Sequence, residues 1–398
     1  MFCLLNLTQN LKTLIFLSLI ENYYCDILHM VINMKVTGIV VEYNPFHNGH
    51  QHHIDKTREL TNCDVLIAVM SGNWVQRGEA AIVDKWERAK FACTRGVDLV
   101  VELPYIYSTQ SASQFAYGAI STLKLLNVDS IVFGSEIDNI DELKEISELS
   151  FDIDRFKENL NEGYSYAKSY GNMAVAYGPN DILAIAYLKE IANTKIKPYS
   201  IKRTNDYHGL ELSNISSASA IRNALSNNQD VSVATPMSLA KPYTWDDYYP
   251  YLQTLLLTSK KEDLRKILLV SEGIENHLIK QAKVSTSYEE FINNCVVKRY
   301  TKSRIQRTLT QLLTQTTKHD KERLPQLQHI RIRSYNETGK KYLNSIKKKE
   351  DLIIASKFTQ IPEEYREIEY KAAVAYAIPY SLEERKVIIE KEIYGQYK

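Results

Sequence analysis

The sequence predicts an α/β protein, with a doubly wound, Rossmann-like parallel sheet and a second, mainly α-helical domain. Three observations carry that prediction. Short apolar runs without alternation recur early, at Val36 to Val41, Asp64 to Met70 and Asp98 to Leu103, as strands buried on both faces require. Amphipathic stretches separate them, and strands alternating with helices imply right-handed crossovers into one parallel sheet. Beyond about Asn228 the alternation fades and helix-like segments dominate.

Taken in order, Val36 to Val41 is the first strand and His50 to Leu60 a helix. Asp64 to Met70 is the second strand, followed by a loop of unusual composition from Ser71 to Asp84. Lys85 to Arg95 reads as a helix, and Asp98 to Leu103 as a third strand stopped by Pro104, which removes a donor and fixes φ. Ser111 to Leu126 is amphipathic, and Ser130 to Phe133 is a fourth strand ending in Gly134-Ser135-Glu136. Ile140 to Ala192 is mostly helical, broken at Gly163, Gly171 and the turn Gly178-Pro179-Asn180. Pro198 to Lys202 is a fifth strand leading to Arg203, and Ser216-Ser217 opens another helix. Further helices are expected at Trp245 to Thr258, Lys261 to Leu269, Ile274 to Ala282 and Tyr288 to Leu313. The expected organisation is an N-terminal extension (1–33), a catalytic domain (34–228) and a mainly helical domain (229–398).

The chain of 398 residues is long enough for two domains, and its 44% hydrophobic and 24% charged content is ordinary for a globular protein. A net charge of +1 supplies no global attraction to nucleic acid, so any basic surface must be local. Cys3, Cys25, Cys63, Cys93 and Cys295 are far apart, which argues against a disulfide framework or structural zinc and fits a reducing cytoplasm. The apolar run Leu14 to Ile20 is too short to span a bilayer, so no membrane association is expected. Residues 1–33 read as an extension ahead of Met34-Lys35, as an upstream start codon would add, with a membrane-surface helix as the alternative.

The most informative stretch is Val40 to His53, VVEYNPFHNGHQHH. It leaves a buried strand, turns at Asn44-Pro45, and enters a helix through His47-Asn48-Gly49-His50. Gly49 has no Cβ and lets a ligand approach the backbone, and a helix N-terminus suits an anion. His47 and His50 lie one helical turn apart on a shared face. Together these parts describe a nucleotide phosphate site, although two histidines at a helix start also serve as a metal site or as caps.

The His-x-Gly-His pattern after a first strand resembles the nucleotidyltransferase superfamily, whose members join a substrate to the adenylyl group of ATP. The longer blocks are more specific. VEYNPFHNGH, MSGNWVQRGEAAIVDKWERAKFA (Met70 to Ala92), GVDLVVELPY and VFGSE resemble the bacterial tRNA(Met) cytidine acetate ligase family, and the likeness covers Met34 to Arg222. One departure is visible: Ala80 stands where the family pattern has proline.

The resemblance implies an ATP site made by Val40, Val41, Glu42, Tyr43, Asn44, Pro45, Phe46, His47, Asn48, Gly49, His50, Gln51, His52 and His53. It extends to Gly134 after the fourth strand, Asn180 in GPND, Arg203 in IKR, and Ser216, Ser217 and Arg222 of a second phosphate motif. His47 and His50 would be the catalytic donors. The implied reaction joins acetate to ATP and passes the acetyl group to N4 of the wobble cytidine of elongator tRNA(Met). Magnesium would be held mainly by the phosphates, and the sequence offers no dedicated protein metal ligand. The loop Ser71 to Glu79 follows the second strand, so it should border the same cleft and could shape a pocket for acetate. A cationic stripe, Lys298, Arg299, Lys302, Arg304 and Arg307, is the candidate tRNA surface, with further clusters at Arg331-Arg333, Lys340-Lys341 and Lys347-Lys348-Lys349. The same histidine and serine-arginine motifs would also serve a nucleotidyltransferase that adenylates a small phosphorylated cofactor precursor. A catalytically dead, RNA-binding relative would have no need to keep them.

Overall fold

The computed structural model describes residues 34–148, 177–203, 214, 216–240, 242–347 and 352–395. Residues 1–33, the breaks at Gly163 and Gly171, and Lys348-Lys349 lie outside the described residues.

One seven-stranded sheet, in the order β5-β4-β1-β2-β3-β6-β7, organises the chain. Its strands are β1 (Val36–Val41), β2 (Val65–Ser71), β3 (Leu99–Leu103), β4 (Ser130–Ser135), β5 (Lys197–Lys202), β6 (His329–Tyr335) and β7 (Ile353–Ala355). The first five run parallel, as the apolar runs imply. From β1 the chain steps outward to β2 and β3, then returns to place β4 on the other side of β1. That reversal opens a crevice at the carboxyl ends of β1 and β4, where a doubly wound sheet takes its ligand.

The helices that cover the early strands are α1 (Asn48–Thr61), α2 (Lys85–Thr94), α3 (Tyr105–Ser108), α4 (Ala112–Leu125), α5 (Ile140–Glu148), α6 (Pro179–Ile191) and α7 (Ala218–Ser226). The later part holds α8 (Trp245–Thr258), α9 (Lys261–Lys266), α10 (Ile274–Ala282), α11 (Tyr288–Cys295), α12 (Lys302–Thr314), α13 (Lys318–Glu322), α14 (Glu337–Ile346), α15 (Glu363–Ala377) and α16 (Leu382–Tyr394). Two expected helices are shorter than their apolar patterns. The stretch Tyr288 to Leu313 splits, because a turn closed by reciprocal Val297 and Tyr300 backbone bonds interrupts it. Thr301 then caps α12 by accepting from the Arg304 amide. The helix begun at Lys261 stops at Lys266, since Ile267 turns extended and bridges to Thr317.

The part after residue 229 is mainly helical, as expected, and it also completes the sheet. β6 pairs antiparallel with β3, and β7 lies parallel beside β6. A single cluster of buried side chains runs from Val36 through Trp245 and Phe291 to Ile388, so early and late segments share one core.

The seam between them is ionic. Lys85 Nζ sits 2.6 Å from Glu102 Oε1 and 2.8 Å from Glu392 Oε2, with all three side chains buried. Arg331 pairs with Glu392 and Arg333 with Glu102. Burial alone would raise the Glu102 carboxyl, but Arg333, Lys85 and Arg331 override it and hold it well below the ordinary range. The Arg331-Arg333 cluster is therefore spent inside the protein, which corrects its reading as RNA-facing surface. Its arginines alternate with Ile330 and Ile332 along β6, a pattern that reads as surface charge until Glu102 and Glu392 are placed opposite.

Candidate active site

The crevice is lined first by the turn after β1. Tyr43 takes a positive φ of 50°, a cis Asn44-Pro45 bond follows, and His47 caps α1. Thr235 holds this turn by donating to the Phe46 carbonyl at 2.6 Å, and Asn48 Nδ2 donates to the Val233 carbonyl at 3.0 Å. The sequence carries no signal for this brace, which arrives from almost two hundred residues downstream.

His47 and His50 stack face to face, with ring centroids 3.6 Å apart and planes 26° from parallel. His47 Nδ1 accepts from the Gly49 amide at 3.1 Å, and His50 Nδ1 accepts from the His47 amide at 3.2 Å. A ring nitrogen that accepts cannot carry the proton, so each neutral imidazole is protonated at Nε2. Neither Nε2 has a partner among the described residues, so each ring keeps an N–H to donate. Burial pushes the His47 imidazole down to about 3, reinforced by the Arg203 and Arg222 charges. Burial likewise drives His50 well down, with His47, His53 and Arg203 adding to it, and both rings are neutral near pH 7.

The helix amides are committed, which changes the sequence reading of an open anion cradle. Asn48 donates to the Ala234 carbonyl at 3.0 Å, Gly49 to His47 Nδ1, and His50 to the His47 carbonyl at 2.8 Å. The histidine Nε2 groups remain as donors, with the charges of Arg203 and Arg222 close by. The rest of Val40 to His53 divides by direction. Val41, Tyr43 and Phe46 are core side chains, and Tyr43 and Phe46 pack under His50. Gln51 turns away to Asp55 and the Arg95 carbonyl, His52 is exposed, and Thr57 donates to the His53 carbonyl. Burial pushes His53 down to about 4, with the Arg203 charge in support.

Across the crevice, Glu136 after β4 binds the Asn180 side chain and accepts from the Asp181 amide at 3.0 Å. Arg203 Nη1 donates to Asn180 Oδ1 at 3.3 Å, and a Cβ on Gly134 would meet the Arg203 side chain at 3.4 Å. Asn180 thus spends its side-chain acceptor on orienting Arg203. Gly134 is small against that arginine. Ser217 caps α7 by accepting from the Ala220 amide at 3.1 Å, and Ser216 beside it is buried. Arg222 donates to the Asn44 carbonyl at 2.8 Å and pairs with Glu79 at 3.0 Å, tying α7 to the turn after β1 and to the Ser71–Asp84 loop.

The loop Ser71 to Asp84 borders the cleft, but only part of it faces inward. Trp74 is core: its Nε1 donates to the Ala372 carbonyl at 2.9 Å. Asn73 accepts from the Lys85 amide, so it caps rather than binds. Gly78 has φ +85° and lies against the α12 backbone, where any Cβ would come within 2.6 Å of Arg307 N. Gln76 N donates to the Glu42 carboxylate at 2.8 Å, and Glu79 reaches Arg222. At Ala80 the bridge to Trp74 uses the amides of Val75 and Ala81, so the position has no call on its own N–H there.

Along the cationic stripe, Lys298, Arg299 and Lys302 are exposed at the start of α12. Arg304 is held by Glu272 at 3.0 Å, with Arg299 3.6 Å from the same carboxylate. Arg307 is half-buried, and burial pushes its guanidinium down to about 10, helped by Arg304 and Arg77. Lys340 sits on α14 beside Glu337.

With the geometry in place, comparison with known proteins is unambiguous. A family model described as HIGH Nucleotidyl Transferase matches residues 34–390. A tRNA(Met) cytidine acetate ligase of Caldicellulosiruptor saccharolyticus is 38% identical, covering 87% of this chain and 94% of that protein. Proteins of the same name from Geobacillus sp. and Bacillus subtilis are 36% and 35% identical, over 90% and 87% of this chain and 98% and 92% of their own. Among solved structures, apo Thermotoga maritima TmcAL superposes with a TM-score of 0.80 at 30% identity, covering 88% of this chain and 96% of that one. The same enzyme bound with alpha-thio ATP gives 0.79. The chain belongs to the tRNA(Met) cytidine acetate ligase family, within the HIGH-type nucleotidyltransferases.

Proposed function

We propose that this protein is an ATP-dependent tRNA(Met) cytidine acetate ligase, working in the cytoplasm on acetate and elongator tRNA(Met). The observation that carries the reading is the stacked His47–His50 pair, whose tautomers are fixed so that both Nε2–H groups are free to donate. An acetate oxygen attacks the α-phosphorus of ATP, and pyrophosphate leaves on the opposite side. Charge grows on phosphate oxygens as it does so, and preformed donors are worth most there. His47 and His50 supply neutral donors, while Arg203 and Arg222 supply charge. Ser216 and Ser217 at the start of α7 offer hydroxyls to the same polyphosphate.

In the second step the cytosine N4 attacks the acetyl carbon and AMP leaves. A wobble base is unpaired in the anticodon loop and can be splayed into a cleft. Lys298, Arg299 and Lys302 are placed to hold the tRNA backbone, and Arg304 and Arg307 stand between that face and the Ser71–Asp84 loop. A magnesium ion would be held mainly by the phosphates and water and would neutralise charge on the departing pyrophosphate. None of the described helices is long and apolar enough to cross a membrane.

The test is direct. The purified protein is incubated with ATP, radiolabelled acetate and tRNA(Met) transcripts bearing cytidine or uridine at the wobble position. Label on the cytidine transcript alone, lost in His50→Ala, is the expected result. Acetyl-adenylate without labelled tRNA would leave the ATP site standing and remove the RNA substrate. No adenylate at all would remove the assignment.

A further inference from the structure

Glu42 is the one acid between Val40 and His53, the stretch that also carries His47 and His50. A carboxylate beside a polyphosphate is repelled, so its presence at the end of β1 calls for work other than holding ATP. It directly follows the last residue of β1, at the carboxyl end of that strand and five residues before the cap of α1. One of its oxygens, Oε1, accepts from the Gln76 amide at 2.8 Å, which fixes the carboxylate without neutralising it. Its charged surroundings come from several elements. Arg77 and Glu79 lie on the Ser71–Asp84 loop and Arg222 on α7. Arg88 on α2 grips the Glu42 main-chain carbonyl, and Tyr187 on α6 feels the carboxylate from the far side. No lysine or arginine is bonded to the Glu42 carboxylate among the described residues, because Arg222 is taken by Glu79 and the Asn44 carbonyl.

We infer that Glu42 is the proton acceptor of the acetyl-transfer half-reaction, taking the proton from the exocyclic N4 of cytidine. The inference rests on the ligase reading above. As the N4–acetyl bond forms, the bond between the acetyl carbon and the phosphate oxygen breaks, and AMP leaves with the electron pair. N4 gives up one proton to the Glu42 carboxylate, which later passes it to water. The balance needs no further reagent. Burial raises the Glu42 carboxyl above its usual range, against the Gln76 amide and Arg222, and a carboxylate raised toward neutrality is a better base for this transfer. The first half-reaction has no proton to remove, since acetate attacks as its anion, so Glu42 has a distinct assignment from the histidines.

The two half-reactions separate the roles. Acetate-dependent exchange of labelled pyrophosphate into ATP reads adenylate formation, and single-turnover transfer from acetyl-adenylate to tRNA(Met) reads the second step. Glu42→Gln keeps an oxygen to accept the Gln76 amide but cannot take the proton. Its transfer rate is expected to fall about 100-fold or more, at least tenfold further than exchange. The wild-type transfer rate should rise with pH through one ionisation, and the Glu42→Gln rate should be flat over that range. Equal losses in both half-reactions would make Glu42 part of the ATP site and overturn the inference. Transfer within a few-fold of wild type, or an unchanged pH profile, would overturn it as well. If the wild-type protein exchanges pyrophosphate but never labels tRNA(Met), the substrate reading fails instead, and the inference falls with it.

Discussion

Gly78→Ala isolates how closely the cleft loop is wedged against α12. Two costs are expected at this position. The left-handed φ of +85° penalises any side chain by about 1–2 kcal/mol. The added Cβ would also lie 2.6 Å from Arg307 N and Gln306 C, both backbone atoms of a helix that cannot rotate away. Overpacking of that kind costs about 1–3 kcal/mol, and the Thr310 hydroxyl bond to the Gly78 carbonyl, 2.7 Å long, would be strained with it. The expected total is about 3–4 kcal/mol. Gly273 provides the control: its φ is +77°, yet the nearest atom to a Cβ there is Asn276 Nδ2 at 3.8 Å. Gly273→Ala should cost only about 1 kcal/mol. Equilibrium urea unfolding, followed by the fluorescence of buried Trp74 and Trp86, measures both variants under one condition. A gap of about 2 kcal/mol between them supports the close approach. Equal costs would show that φ alone matters and that the loop is not wedged on α12.

Other perturbations address the charges. Lys85→Met removes the cation shared by Glu102 and Glu392 and leaves each carboxylate to its arginine, Arg333 and Arg331. It should lower stability by about 3–5 kcal/mol, and Lys85→Met with Glu102→Gln should recover part of that in the same unfolding assay. His47 has a folded value near 3 against an unfolded value of 6.5, so its contribution to stability is present above pH 6.5 and lost as pH falls toward 3. Between pH 7 and pH 5 the wild type should lose about 2 kcal/mol more than His47→Gln, and parallel urea midpoints would refute that. Replacing Lys298, Arg299 and Lys302 together by alanine should raise KM for tRNA and flatten its dependence on log salt by about 2 units, measured by filter binding at several salt concentrations. An unchanged salt slope would place the RNA elsewhere.

The nucleotide half of the fold was legible because its signals are local. An apolar run, a proline turn and a Gly-flanked histidine pair lie within twenty residues, and the structure assembles them where the pattern puts them. The parallel run of the first five strands was also legible, since strands alternate with helices there, whereas the strand order was not. What stayed hidden depends on partners remote in the chain. β6 reads His-Ile-Arg-Ile-Arg, and nothing near it states that Glu102 and Glu392 await the arginines. Trp74 and Asn73 look like binding residues in a loop of rare composition, but Ala372 and Lys85 claim them. The tautomers of His47 and His50 were likewise invisible, because they follow from which backbone amide each Nδ1 accepts.

The way the cleft loop is braced also sets an order of events on the ribosome. Trp74 is anchored by a carbonyl 298 residues further along, and Gly78 by a hydroxyl 232 residues further along. The edge of β3 waits for β6, and Lys85 waits for a glutamate in the last helix. A nascent chain that has already made the histidine motif therefore still lacks the wall that shapes its cleft. Products cut short before β6 would carry every signature of the ATP motif and yet lack that wall.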